Sequence, residues 1–386
     1  MKMFNVSKCR ILLITASVGL TLSLSCRWLS HPSEPVTPNS VAAQENSQWL
    51  VSPELLKNAG FKILWENILP TTKGESLERL VILGDRVYAI SDKNYMLCLD
   101  RNSGRQIFGK IIGLSGLRLA DLSLYDDKLI SAAGSQLFEI NPDTGLELSF
   151  INVGYGIVCP PARNSFNYYL SGTDRRLHVL RAADKVDIFD VAAENESMIT
   201  AILANETFVV FGTDQGNVIS IDPNLPVRLW QFDAAGAIAG KIVQDGMSLY
   251  FASEEMNLYR VDIVGAPESR RLVWKSLMEG LLQTGPKATR TMVYQSVYDK
   301  ELAAIDKDKG TLLWSVPGGV EFLSEAKNKS YVLTKDQTLV AMDNTTNKKL
   351  FSVNCAGVTI SAANLVDSKI YIADKSGRIA CLQPID

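Results

Sequence analysis

From residue 61 onward the chain alternates short apolar runs with polar turn formers, and one phrase keeps returning. In its first copy, 80–83, 86–91 and 96–100 are β-rich runs separated by Gly84-Asp85 and Asp92-Lys93-Asn94, residues that reverse the chain between antiparallel strands. Equivalent second turns are Gly172-Thr173-Asp174, Gly212 to Gly216, Lys335-Asp336 and Asp374 to Gly377. Aligning copies on the residue that ends the third run gives Asp100, Asn141, Arg181, Asp222, Asp262, Asp306, Asp343 and Gln383, spaced 41, 40, 41, 40, 44, 37 and 40. A period near forty made only of strand phrases predicts a β-propeller rather than a helical solenoid.

The positions around each mark carry further pattern. Asp100, Asp222, Asp262, Asp306 and Asp343 suit Asx turns, the carboxylate accepting backbone N–H groups, with Gly104, Gly145 or Gly310 supplying a positive φ nearby. Eight residues after the mark stand Phe108, Phe189, Trp230, Trp314 and Phe351. Trp274 lies twelve after its mark, a four-residue insertion, and the second copy is looser, with Phe150 at nine. Aromatics at a fixed repeat position predict packing between blades rather than a cofactor floor. The eighth copy ends at Asp386 with no fourth strand, while 61–65 is a β-capable run in which Trp65 supplies the eighth aromatic. The expectation is therefore an all-β, eight-bladed propeller closed by an N-terminal strand, with seven blades as the alternative; closure removes the exposed sheet edge.

Ahead of that strand, Ser52-Pro53-Glu54 and Gly60 bracket a short helix expected at 53–59, with Ser as N-cap. Residues 1–25 read as a signal peptide: Lys2, Lys8 and Arg10 precede an apolar stretch of 14 residues from Ile11 to Leu24, too short to span a bilayer. Ser23, Leu24 and Ser25 lead into Cys26 in a stretch similar to a lipobox, with the leucines one place displaced. Two outcomes fit: a lipid-anchored protein with acylated Cys26, or a secreted one cut near it. Residues 26–48, with Pro32, Pro35 and Pro38, read as a tether that reaches on the order of 60 Å at about 3 Å per residue.

Composition narrows the chemistry. Lys+Arg 39 against Asp+Glu 42 gives -3, and without the three signal cations the charge is -6, so the basic footprint of a nucleic-acid binder is missing. With only His31 and His178, histidine-based acid–base chemistry and His-rich metal sites are disfavoured, and His178 reads as structural. Asp306 to Gly310 lacks the ligand set of a calcium loop and reads as a solvated turn. Cys98 and Cys381 occupy equivalent places in copies that closure makes neighbours. A disulfide needs Cα atoms within about 7 Å, and these cysteines otherwise read as small core residues. Glu268-Ser269-Arg270-Arg271 predicts an extended charged hairpin, a partner contact or simply solvated.

The phrases Val87-Tyr88-Ala89-Ile90, Leu99 to Gly104 and Ala304 to Trp314 resemble the repeat of the pyrroloquinoline-quinone-type (PQQ-type) propellers, over about residues 61–386. Within that superfamily the quinoprotein alcohol dehydrogenases carry a vicinal Cys–Cys disulfide, a calcium site and pocket-building insertions. Here Cys98, Cys159, Cys355 and Cys381 are isolated and the spacings leave almost no insertions. With its signal and tether the chain instead resembles the BamB family, non-catalytic lipoprotein scaffolds of outer-membrane β-barrel assembly. The resemblance implies no cofactor and no metal, envelope proteins as partners, including a β-barrel assembly protein, and a periplasm-facing location on the outer membrane. A ligand-binding or sensory propeller is the alternative, and a quinoprotein enzyme the third reading.

Overall fold

The computed structural model describes residues 49–113 and 116–385; the signal, the tether and Cys26 lie outside the described residues. Among the described residues thirty-two strands form eight four-stranded antiparallel sheets, each an uninterrupted meander except the last. Blades 1 to 7 occupy 77–111, 123–152, 162–192, 199–233, 238–277, 287–317 and 319–354. Blade 8 takes its inner three strands from 360–384 and its outer strand from Phe61–Ile68, which pairs with Arg378–Pro384 from Phe61 opposite Pro384 to Ile68 opposite Arg378. The ring has eight blades, joined where the two ends of the repeat array meet.

Burial explains the patterning. The second and third strands of a blade are covered on both faces by neighbouring blades, so Arg86–Ser91 and Tyr95–Asp100 read as continuous apolar runs. Outer strands have a solvent edge, and Glu147–Asn152 alternates instead. The core is divided into eight apolar clusters, one at each junction between blades. They are unequal: the junction of blades 8 and 1 holds fourteen buried residues, that of blades 2 and 3 only six.

Every pairing of third and fourth strands carries a bulge at the same place. The extra residue is always aliphatic: Ile107, Leu148, Ile188, Leu229, Val273, Leu313, Leu350 and, in the closing strand, Leu64. A bulge deepens the local twist and turns the next side chain toward the neighbouring blade.

The helix spans Pro53–Asn58, one residue shorter than expected, and Gly60 follows at φ 75°. Ser52 makes no side-chain cap; its carbonyl accepts the Leu56 N–H at 3.1 Å. Leu56 is buried with Leu50, Val51, Phe61 and Tyr331, so the chain enters the ring at the rim between blades 7 and 8.

Candidate interaction surface

In seven of the eight blades the residue after the bulge is the expected aromatic. Trp65, Phe108, Trp230, Trp274 and Trp314 are buried, and Phe189 and Phe351 partly so. Three of them lie flat on a turn glycine of the next blade. A Cβ on Gly104 would come within 2.4 Å of Trp65, one on Gly145 within 2.5 Å of Phe108, and one on Gly310 within 2.6 Å of Trp274. These glycines have φ of 68°, 64° and 70°. Glycine is thus required twice, for the left-handed backbone and for the ring that covers it. In other blades Trp314 packs on Tyr294 with ring centroids 5.9 Å apart, Phe351 lies edge-on to Phe61 at 6.0 Å, and Phe189 joins the cluster of Val209 and Phe211.

The turn carboxylates hold the surfaces these aromatics rest on. Asp100 Oδ1 accepts the N–H groups of Asn102 and Ser103 at 3.1 and 2.8 Å, with parallel bonds at Asp222, Asp306 and Asp343, and at the Asn141 amide oxygen. The bonds from Ser103 hold the Asp100 carboxyl below its usual range, and those from Thr346 and Thr345 do the same for Asp343. Asp262 departs from the expectation: it accepts Ser248 Oγ at 2.7 Å and Arg260 Nε at 2.9 Å instead of capping a turn. The four-residue insertion gives its hairpin a wider loop, which leaves that carboxylate no adjacent N–H pair to cap.

A second periodic residue was visible in the sequence and passed over. Twelve residues before the mark stand Tyr88, Tyr169, Tyr250, Tyr294, Tyr331 and Tyr371, all buried. Two of the tryptophans and two of these tyrosines stitch blades 8, 5 and 3 to the carbonyl just after the next blade's mark. Trp65 Nε1 and Tyr371 OH donate to Arg101 O at 3.1 and 3.3 Å, Trp274 Nε1 to Lys307 O at 3.0 Å, and Tyr169 OH to Pro223 O at 2.8 Å.

Two junctions differ. The charged hairpin of blade 5 is neither free nor simply solvated: Arg270 donates to Gln231 O at 2.7 Å and lies over Phe232 and Trp230, 5.4 and 6.0 Å from their ring centroids. In blade 2, Glu139 pairs with Ser149, and Phe150 pairs with Phe138 and is 49% exposed. Phe150, one place late, is therefore not the equivalent aromatic; Ser149 is.

Recesses among the described residues include one on the channel and one on a turn face. One, of about 480 Å³, opens on the central channel, lined by the inner strands of blades 2 to 5. Across it, Asp121 before blade 2 pairs with Lys241 of blade 5 at 2.9 Å and with Arg79 of blade 1 at 3.4 Å. Blades 2 and 5 are not neighbours, so this contact bridges the lumen. Burial pushes the Asp121 carboxyl up, but Lys241, Arg79 and Arg118 outweigh it and leave it below its usual range. The other recess, about 430 Å³, crosses blades 6 to 8 on the face that carries the first and third turns of each blade. It is lined by Thr289 to Thr291, Asn344 and the loop of Leu365 and Val366, which are 52% and 62% exposed.

Cys98, Cys159, Cys355 and Cys381 are buried free thiols. Burial pushes Cys98 and Cys381 up to about 12 and Cys159 and Cys355 to about 11, so they are neutral. His178 Nε2 lies 3.0 Å from Asp174 and its ring stacks on Tyr155 at 3.9 Å. Among the described residues no group of three or more His, Cys, Asp and Glu side chains is placed to hold a metal, and no helix is long and apolar enough to cross a membrane.

These features define the class: an eight-bladed β-propeller of PQQ-type repeats whose junctions are aromatic and whose faces are turns. The sequence model of the family described as "Outer membrane protein assembly factor BamB" matches residues 260–386, and the chain is accordingly a PQQ-type propeller that resembles BamB. A protein of that name from Nitrosomonas eutropha is 27% identical over 165 residues, 41% of this chain and 39% of that relative's length. Among solved structures, BamB from Moraxella catarrhalis superposes with a TM-score of 0.65 at 14% identity, covering 84% of this chain and 97% of that one. The computationally designed Ika8 protein superposes with a TM-score of 0.63 at 16% identity over 81% of this chain and 98% of its own. Likeness at that identity is a likeness of fold.

Proposed function

We propose that the chain is a non-catalytic protein-interaction scaffold of the bacterial envelope, acting in outer-membrane β-barrel assembly. The observation that carries this reading is the match of residues 260–386 to the BamB family, together with a ring that adds almost nothing to its repeats. Loops set on a rigid scaffold suit recognition of other proteins. Lipidation at Cys26 would hold the ring at the periplasmic side of the outer membrane.

The test is affinity purification of the tagged full chain from detergent-solubilised envelopes. Stoichiometric recovery of a β-barrel assembly protein is expected, and C26A is expected to move the propeller from the membrane to the soluble fraction. Recovery of the propeller alone, from membranes with that machinery intact, sinks the assembly role. A second reading, a small ligand in the channel, is favoured by the recess of about 480 Å³. Bound small molecules released from the purified chain, detected by mass spectrometry and lost on mutation of Asp121 or Lys241, would favour it.

A further inference from the structure

The junction of blades 2 and 3 lacks the aromatic–glycine contact. At the position of Gly104, Gly145 and Gly310 stands Lys185, with the same N–H bond to its mark, 2.8 Å to Arg181 O, and the same left-handed backbone at φ 64°. The side chain that would lie over it is Ser149. Where a ring lies at the other junctions there is an open recess of about 470 Å³, lined by Lys128, Glu139, Ser149, Arg163 and Lys185.

Its charge is unbalanced. Glu139, 5% exposed, receives Lys185 Nζ at 2.7 Å, Lys128 Nζ at 3.4 Å, Arg163 Nη1 at 3.8 Å and the Tyr168 hydroxyl. Arg163 is 8% exposed at its side chain, lies 4.8 Å from the Tyr168 ring centroid, and its Nε has no hydrogen-bond partner among the described residues. Asp184 also lines the recess but is held by Arg181 at 2.9 Å, and Asp126 and Asp127, beside Lys128, are exposed and outside the lining. Three cations thus face one carboxylate, and two positive charges remain in a partly dry site, where uncompensated charge is costly.

We propose that this recess binds a phosphate-class oxyanion, inorganic phosphate or a phosphomonoester, held by Lys128, Arg163 and Lys185. A phosphate carries nearly two negative charges near neutral pH, which matches the excess, and planar guanidinium beside ammonium is a recurrent phosphate-binding pair. The site adjoins the channel recess: Arg163 lines both, whereas Lys128 and Lys185 line only this one.

The experiment titrates inorganic phosphate into the purified chain by calorimetry, with sedimentation of phosphatidic-acid vesicles against phosphatidylcholine vesicles as a second arm. The double variant S149F/K185G rebuilds the contact found at three other junctions and fills the recess; K128A and K185A keep it open with one cation fewer. Phosphate binding is expected in the parent chain, lost in the double variant and weakened roughly tenfold to a hundredfold in each single variant, the weight of a charged hydrogen bond. Binding of the vesicles alone, lost in the same variants, assigns the phosphate to a lipid headgroup. No binding in either arm, or equal binding in parent and double variant while K185A melts like the parent, overturns the proposal. Because it is read on the isolated chain, this outcome is independent of any assembly partner.

Discussion

Two junctions of the same ring solve one geometric problem in opposite ways. Between blades 8 and 1, Trp65 lies on Gly104, its indole donates to Arg101 O, and fourteen buried apolar residues surround the contact. Between blades 2 and 3, Ser149 leaves Lys185 uncovered, six apolar residues remain, and the Ala182 carbonyl, equivalent to that of Arg101, accepts Lys185 Nζ at 2.6 Å. The backbone of the two turns is alike. What differs is whether the acceptor is served from the neighbouring blade by an aromatic or from its own turn by an ammonium, and the second choice opens a charged recess.

The largest effect should come from removing an aromatic. Trp274→Ala strips a side chain 7% exposed from its glycine and should cost about 3–5 kcal/mol, whereas Ser149→Ala should stay within about 0.5 kcal/mol. Urea denaturation of the two variants separates them, and a comparable loss from both would erase the distinction between the junctions.

Next comes the turn residue itself. Gly104→Ala places a Cβ 2.4 Å from Trp65 at φ 68° and should cost about 2–4 kcal/mol, from the left-handed backbone and from overpacking. At Lys185, already left-handed with no ring above it, Ala adds no such clash, and its effect should come from the lost ion pair with Glu139 and the lost bond to Ala182 O. Thermal melts of the two alanine variants would show whether the aromatic or the backbone sets the penalty.

The smallest effect is the share of the pH dependence that the charged junction contributes. Burial raises the Glu139 carboxyl, but Lys185, Tyr168 and Lys128 outweigh it and hold the group below its ordinary 4.5. A depressed carboxylate contributes stability that is fully present above its unfolded value and is lost as pH falls through its folded one. Stability of the parent chain should therefore fall on acidification below about pH 4.5, and Glu139→Gln should flatten part of that fall. An unchanged acid slope in Glu139→Gln would mean the cluster carries no linkage.

Much of this was legible in the chain because a propeller repeats locally. Each blade's strands, turns and aromatic lie within about forty residues, so period, apolar runs and turn chemistry are read directly, and the strand at 61–68 could be matched to a gap at the far end. The tyrosines twelve before the mark were equally periodic, and only attention to a second column was needed to find them. Phe150 misled because it is the nearest aromatic: eight residues after Asn141, the count that fits five other blades, stands Ser149, which follows the bulged Leu148 as each aromatic follows its own bulged residue.

The sequence alone determined the propeller fold, the closing strand and seven of the aromatic positions, since local patterning and the burial it demands leave few alternatives; between eight blades and seven the assembled ring decided. Tertiary structure decided what each aromatic meets, why Arg270 folds back on blade 4, how Asp121 crosses the lumen to Lys241, and why Glu139 gathers three cations. Apart from that of Lys128 with Glu139 inside blade 2, those contacts join residues of different blades. Their partners are fixed by how one sheet twists against another, and a repeating pattern within each sheet carries no record of that.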